Sequence, residues 1–117
     1  MSSQGFQIKP LPDEVVVTKH RYGAFESTDL DLVLRARGIR TVIMTGVATN
    51  VCVETTARQA FLKDYYVVFT SDCSATFSQA AHDATLHNID QFFGEVATGD
   101  QVAGCWPAAQ ARMRAAS

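Results

Sequence analysis

The chain has no apolar run approaching the ~20 residues that a membrane span requires, and its charges do not cluster. Ten Lys and Arg stand scattered against twelve Asp and Glu, a formal charge of -2. The first absence argues against a spanning helix. The second removes the basic footprint by which proteins hold nucleic acid or an anionic membrane. The opening residues, Met1 to Pro12, lack the apolar core of a secretory signal, so none is expected. Cysteine is scarce: Cys52, Cys73 and Cys105 are odd in number and no two share a CxxC spacing. Neither a disulfide framework nor a structural zinc site is therefore expected. A reducing, cytoplasmic setting follows as the expectation, and in it a single thiol can serve as a catalyst. Internal repeats and low-complexity linkers are missing too.

What remains is the composition of one globular domain. Of 117 residues, 47% are hydrophobic and 19% charged, enough to bury a single core and too few for two. The core is expected over about residues 13–103, with the Ala- and Arg-rich tail 107–117 fraying and Trp106 covering an apolar patch or a subunit contact.

Val15 to Thr18, Thr41 to Thr45 and Tyr66 to Thr70 are short β-branched or aromatic runs of buried-strand type. Glu95 to Thr98 is a candidate last strand. Helices are expected between them. One is capped by Thr28, carries Asp29 and Asp31 in its first turn and the apolar Leu30, Val33 and Leu34, and ends at Gly38. A second runs from about Asn50 to Lys63 and buries Val53, Ala57, Ala60 and Phe61. A third is capped by Ser78, turns Ala81, Ala84, Ile89, Phe92 and Phe93 inward, and stops at Gly94. Strands alternating with helices predict βαβ units, a parallel sheet and a three-layer α/β/α architecture of Rossmann-like type.

In such sheets, ligands bind beyond the carboxyl ends of the strands. Lys19 follows the first predicted strand. The segment Gly46-Val47-Ala48-Thr49-Asn50-Val51-Cys52 follows the second and enters a helix. Free N–H groups in a first helical turn carry partial positive charge, which favours a thiolate and can receive the oxyanion of acyl transfer. Position alone leaves two readings open for Cys52, a small buried core thiol or a nucleophile. Lys19, likewise, is either a solvated loop cation or the thiolate's partner.

Two segments carry a resemblance that bears on that choice. Gly46 to Glu54 resembles the nucleophile motif of isochorismatase-like cysteine hydrolases, and Lys19-His20-Arg21-Tyr22-Gly23-Ala24-Phe25 resembles that family's lysine segment. Thr28-Asp29-Leu30, Leu34 to Ile39 and Phe92-Phe93-Gly94 extend the likeness to roughly residues 5–103. The resemblance implies Cys52 as nucleophile, Lys19 as the group holding it as thiolate, and an oxyanion hole from the N–H groups of Ala48 and Cys52. It also implies a cis peptide between Val47 and Ala48, and pocket positions at Asn50, Tyr22 and Phe25. The wording Asn50-Val51-Cys52-Val53-Glu54 is closer to ureidoacrylate and N-carbamoyl amidohydrolases than to nicotinamidases, which often carry Asp and His before the cysteine. No metal and no cofactor are expected on that basis. The expected partners are a small amide or ureido substrate and further copies of the chain, as a homo-oligomer.

The sequence departs from the family at one point. The family's third catalytic group is an Asp in an Asp-x-Gln strand, and no Asp-x-Gln occurs here. Asp13 and Asp72 are not promoted to its role. The resemblance then implies a chain lacking the first two strands of the family's sheet, with little turnover by itself: a fragment, or a first strand that pairs directly with the second, or a gap that a partner chain fills. A rival reading is a non-catalytic module that pairs with a complete subunit. A thiol redox protein is a weaker rival, since no second cysteine lies close in sequence. His20 is a tempting base, and His82 and His87 are spaced wrongly to share a metal.

Overall fold

The computed structural model describes residues 9–105. The expectations placed on Gln4 to Ile8, Trp106 and residues 107–117 lie outside the described residues. The β-branched runs form β1 (Thr41–Val47), β2 (Tyr66–Ala75) and β3 (Glu95–Ala97), all parallel and paired in the order β1-β2-β3. Parallel strands need long crossovers, and each crossover here is helical. A π-helical turn, Thr49–Val53, leads into α2 (Glu54–Leu62) between β1 and β2. Between β2 and β3 run α3 (Gln79–Asn88) and a second π-helical turn, Ile89–Phe93. Helix α1 (Leu30–Ala36) precedes β1, and α4 (Gly99–Ala103), which the sequence did not suggest, follows β3. The α/β class and the parallel sheet match the sequence-based expectation.

The core lies where α2 and the second π-helical turn meet the sheet. Phe69, Ala57, Ala60 and Ile89 are completely buried, with Val53, Val67, Tyr65, Met44 and Phe25 around them. Ser78 caps α3 as predicted, its Oγ accepting from the Ala81 N–H at 3.2 Å. Thr28 meets its predicted role in part. Its hydroxyl accepts from the Leu30 N–H at 3.3 Å, while Asp29 takes the cap position without a side-chain bond.

Several expectations need correction. Val15–Thr18 forms no strand, and it does not pair with β1. A strand holds only where its backbone groups meet a neighbour. Val15 and Val16 are exposed and Val17 is half-buried, and no strand pairs with this segment among the described residues. β1 extends to Val47, and β2 runs on to Ala75, which draws Asp72 and Cys73 into the strand. Phe61 and Phe92, expected inside, are 43% and 69% exposed and flank the half-buried Phe93 edge-on. Ala84 also faces outward. The inward side of α3 instead carries buried Thr85 with half-buried His82 and Leu86, and it leads on to the fully buried Ile89.

Candidate active site

Cys52 sits on the π-helical turn that begins two residues beyond β1, half-buried and with a free thiol. Gly46, at φ +110°, sits where β1 shifts its register on β2, an angle at which a side chain is rarely tolerated. The peptide between Val47 and Ala48 is cis, as the sequence likeness implied. The Ala48 carbonyl then accepts from the N–H groups of Val51 and Val53, at 3.1 and 3.2 Å, and this closes the turn around Cys52. β1 and β2 shift register at this place: Met44 pairs with Phe69, but Gly46 pairs with Ser74. Bulges of this kind re-aim residues at the rim of a sheet.

Side-chain bonds hold the turn and the start of α2 against their surroundings. The Thr49 hydroxyl lies 2.8 Å from Nδ1 of His82 on α3. Thr76, just beyond β2, donates its hydroxyl to Asn50 Oδ1 at 2.7 Å. Buried Thr85 donates to Glu54 Oε1 at 2.6 Å, and the other Glu54 oxygen pairs with Arg58 at 2.7 Å. None of His82, Thr49, Thr76 or Thr85 was singled out from the sequence as a site residue. The available signal was the spacing of His82, Thr85 and Ile89, which puts two polar residues on the side that leads to an apolar one, where they must be satisfied if they face inward.

With no strand over Val15–Thr18, Lys19 is not delivered to the rim by strand topology. Its segment is tied to the nucleophile helix in another way. The Ala24 N–H donates to Thr56 Oγ1 at 2.9 Å, and the Phe25 N–H to Gln59 Oε1 at 3.3 Å. Lys19 itself is exposed and donates from Nζ to the Arg21 carbonyl at 2.9 Å. It shares an open cavity of about 480 Å³ with His20, Arg21 and Tyr22. Tyr22 is 66% exposed, whereas Phe25 is 8% exposed and packs on Tyr65 with ring centroids 5.7 Å apart. Asn50 is exposed beside a polar cavity of about 260 Å³ lined by Ser71, Ser74, Thr76, Ser78 and His82. A larger cavity of about 1010 Å³ lies at the opposite, amino-terminal end of the strands, between Arg40, Tyr66, Phe92 and Glu95. It holds none of the candidate groups, and size alone gives it no chemistry.

Among the described residues no three His, Cys, Asp or Glu side chains converge as a metal site would need, and no helix is long and apolar enough to cross a membrane. Asp72 is not placed as a base. Its carboxylate accepts the Gly99 N–H at 2.7 Å, and this bond first of all holds it below the usual carboxylate range. The sulfur of Cys73 lies under Gly99, and its burial, with Asp72 beside it, pushes that thiol up.

The Isochorismatase domain matches residues 6–101 of the chain. The ureidoacrylate amidohydrolase RutB of Variovorax paradoxus (strain S110) is 46% identical over 95 residues, which are 80% of this chain and 38% of that protein. An isochorismatase-like hydrolase from Alkaliphilus metalliredigens superposes with a TM-score of 0.81 at 41% identity, over 85% of this chain and 54% of that one. A cysteine hydrolase from Pseudomonas syringae pv. phaseolicola 1448A gives 0.78 at 40% identity, over 80% and 49%. The chain thus spans roughly 38–54% of the length of the relatives it matches. A domain matched across most of the sequence, on the same sheet and helices, leaves one conclusion: this chain belongs to the isochorismatase family.

Proposed function

We propose that this chain carries the nucleophile of a hydrolase that cleaves an amide or ureido C–N bond in a small molecule, with Cys52 attacking and Lys19 as its cationic partner. The observation that carries the reading is a half-buried free thiol on a tight turn at the carboxyl end of β1. The Lys19 segment is hydrogen-bonded to the helix that follows it. Relatives named for ureidoacrylate and for cysteine hydrolysis support the substrate class and the thiol.

In this reading the Cys52 thiolate adds to the substrate carbonyl, and the N–H groups of Ala48 and Cys52 receive the oxyanion. Collapse of that intermediate breaks the C–N bond. The leaving nitrogen takes a proton and departs as ammonia or an amine, leaving a thioester on Cys52. Water then attacks the thioester, releasing the acid and restoring the thiol. Asn50, whose Oδ1 is occupied by Thr76, keeps its amide N–H groups for a substrate oxygen. Tyr22 offers an exposed ring, and the buried Phe25, packed on Tyr65, anchors the same segment to the core. The chemistry calls for no metal or cofactor. Proton delivery to the leaving nitrogen is the weak step, because no Asp-x-Gln segment is present to shuttle it. The test is a rapid acid quench after mixing with an N-carbamoyl substrate, followed by mass spectrometry of the chain. An acyl adduct on Cys52, absent in Cys52→Ala, supports the reading. Adducts on Cys73 or Cys105 alone, or none, oppose it.

One feature favours a second reading, an assembly module that pairs with a complete subunit or another copy. β1 is an edge of the described sheet, and Ile43 and Val47 on it are 40% and 69% exposed. Sedimentation of the chain as a lone monomer that ignores a complete relative would dismiss this alternative.

A further inference from the structure

We infer that His82 is a positioning residue for the thiol-bearing turn, acting through the Thr49 hydroxyl; the inference rests on the reading of Cys52 as nucleophile. Thr49 opens that turn and has no exposed surface, so its hydroxyl needs a partner inside the fold. Nδ1 of His82 supplies it at 2.8 Å, while Nε2 of the same ring lies 2.9 Å from the Ser71 carbonyl oxygen. A carbonyl only accepts, so the ring proton belongs on Nε2, and in the neutral ring Nδ1 accepts from Thr49. One imidazole therefore joins three elements: α3, the stretch of β2 where its register shifts, and the turn bearing Cys52.

The other two ties are softer. Asn50, held by Thr76, is exposed, so water competes for that bond. Glu54 lies beyond the turn, at the start of α2, and divides its carboxylate between Thr85 and Arg58. The His82 bond alone combines a fully buried hydroxyl with a planar ring fixed at both nitrogens. Releasing it leaves a buried hydroxyl unpaired and frees the turn to shift, so the thiol loses its aim while the sheet and helices persist.

The experiment measures iodoacetamide alkylation of each thiol in the whole chain by peptide mass spectrometry, with Cys73 and Cys105 as internal references. His82→Gln keeps a donor for Ser71 but offers no acceptor near Thr49; His82→Asn does the reverse. Thr49→Val removes the hydroxyl and Thr49→Ser keeps it. The Cys52 rate is expected to fall by roughly three- to tenfold in His82→Gln and in Thr49→Val, the worth of one hydrogen bond. The double variant His82→Gln with Thr49→Val should fall no further, because both remove the same interaction. His82→Asn and Thr49→Ser are expected to restore most of the rate, and the reference thiols to stay constant. General loosening of the fold would instead move all three thiols without such rescue. A Cys52 rate unmoved by Thr49→Val, or His82→Asn as slow as His82→Gln, overturns the inference; should a His82 variant fail to fold, the Thr49 pair decides alone. If Cys52 in the unsubstituted chain reacts no faster than Cys105, the nucleophile reading fails and takes this one with it.

Discussion

The backbone N–H of Ala24 donates to the hydroxyl of Thr56 at 2.9 Å, which fastens the segment carrying Lys19 to the helix that Cys52 leads into. Ala24 is five residues from Lys19, and Thr56 is four from Cys52. No strand forms over Val15–Thr18, so this bond, with that of Phe25 to Gln59, ties the segment to α2. Thr56→Val keeps the side-chain volume and leaves the Ala24 N–H unpaired. The expected cost is about 1–2 kcal/mol in urea unfolding, together with slower Cys52 alkylation.

Gly94 ends the second π-helical turn where the chain passes over β2. A Cβ at that position would meet the Val67 carbonyl oxygen at 2.3 Å and the Val67 Cβ at 2.9 Å. Both belong to a paired strand, so nothing nearby can swing aside. Gly94→Ala is expected to destabilise the chain by about 2–3 kcal/mol, in the range of overpacked cores, read as a lower urea midpoint with an unchanged slope.

Acid should probe the contact between α1 and the start of β2. The Tyr65 hydroxyl donates to Asp31 Oδ1 at 2.6 Å. That bond first of all, with help from Arg35 and Lys63 and against the effect of burial, holds the Asp31 carboxyl below its ordinary range. A carboxylate favoured in this way adds stability above the aspartate range and loses it as the pH falls through the folded-state value. Burial, and then Asp31, pushes the Tyr65 phenol above its ordinary range, so its own contribution fades only in alkali. Tyr65→Phe is expected to be less stable than the parent near neutrality, with the gap narrowing as the pH drops below the aspartate range. A gap constant from neutral pH to strong acid would contradict this.

The chain by itself is expected to form the Cys52 adduct yet turn over an N-carbamoyl substrate far more slowly than a complete relative. The proposed nucleophile and oxyanion donors lie on residues 48–52, while this sequence contains no Asp-x-Gln segment to serve as the proposed proton shuttle. Ammonia release at a complete relative's rate would show that another group delivers the proton.

Much of this was legible in the sequence because local pattern and tertiary outcome agree. Val42 to Met44 and Tyr66 to Phe69 are strand-formers with neighbours to pair with, and they pair. Ser78 caps α3 because its side chain and the Ala81 N–H are near in the chain. Val15 to Val17 has the same composition as a strand but lacks the neighbour that makes one, and no local pattern contains that information. Phe61 and Phe92 are as apolar as Phe69, and only the direction of their helical faces leaves them outside. At the candidate site, Cys52 and Ala48 could be proposed together because they share one short motif. His82 reaches Thr49 across 33 residues, a distance at which sequence periodicity shows a polar stripe but not its partner.

The alkylation rate of Cys52 in Lys19→Met, set beside the unsubstituted chain at low ionic strength, bears on the central claim most directly. Methionine keeps much of the lysine stem and removes the charge. Cys52 is expected to react faster than both exposed thiols, Cys73 and Cys105, in the parent, and to slow by at least about threefold in the variant, with the difference shrinking in 1 M salt. Equal Cys52 rates with and without the Lys19 ammonium would contradict the pairing on which the proposed hydrolysis depends.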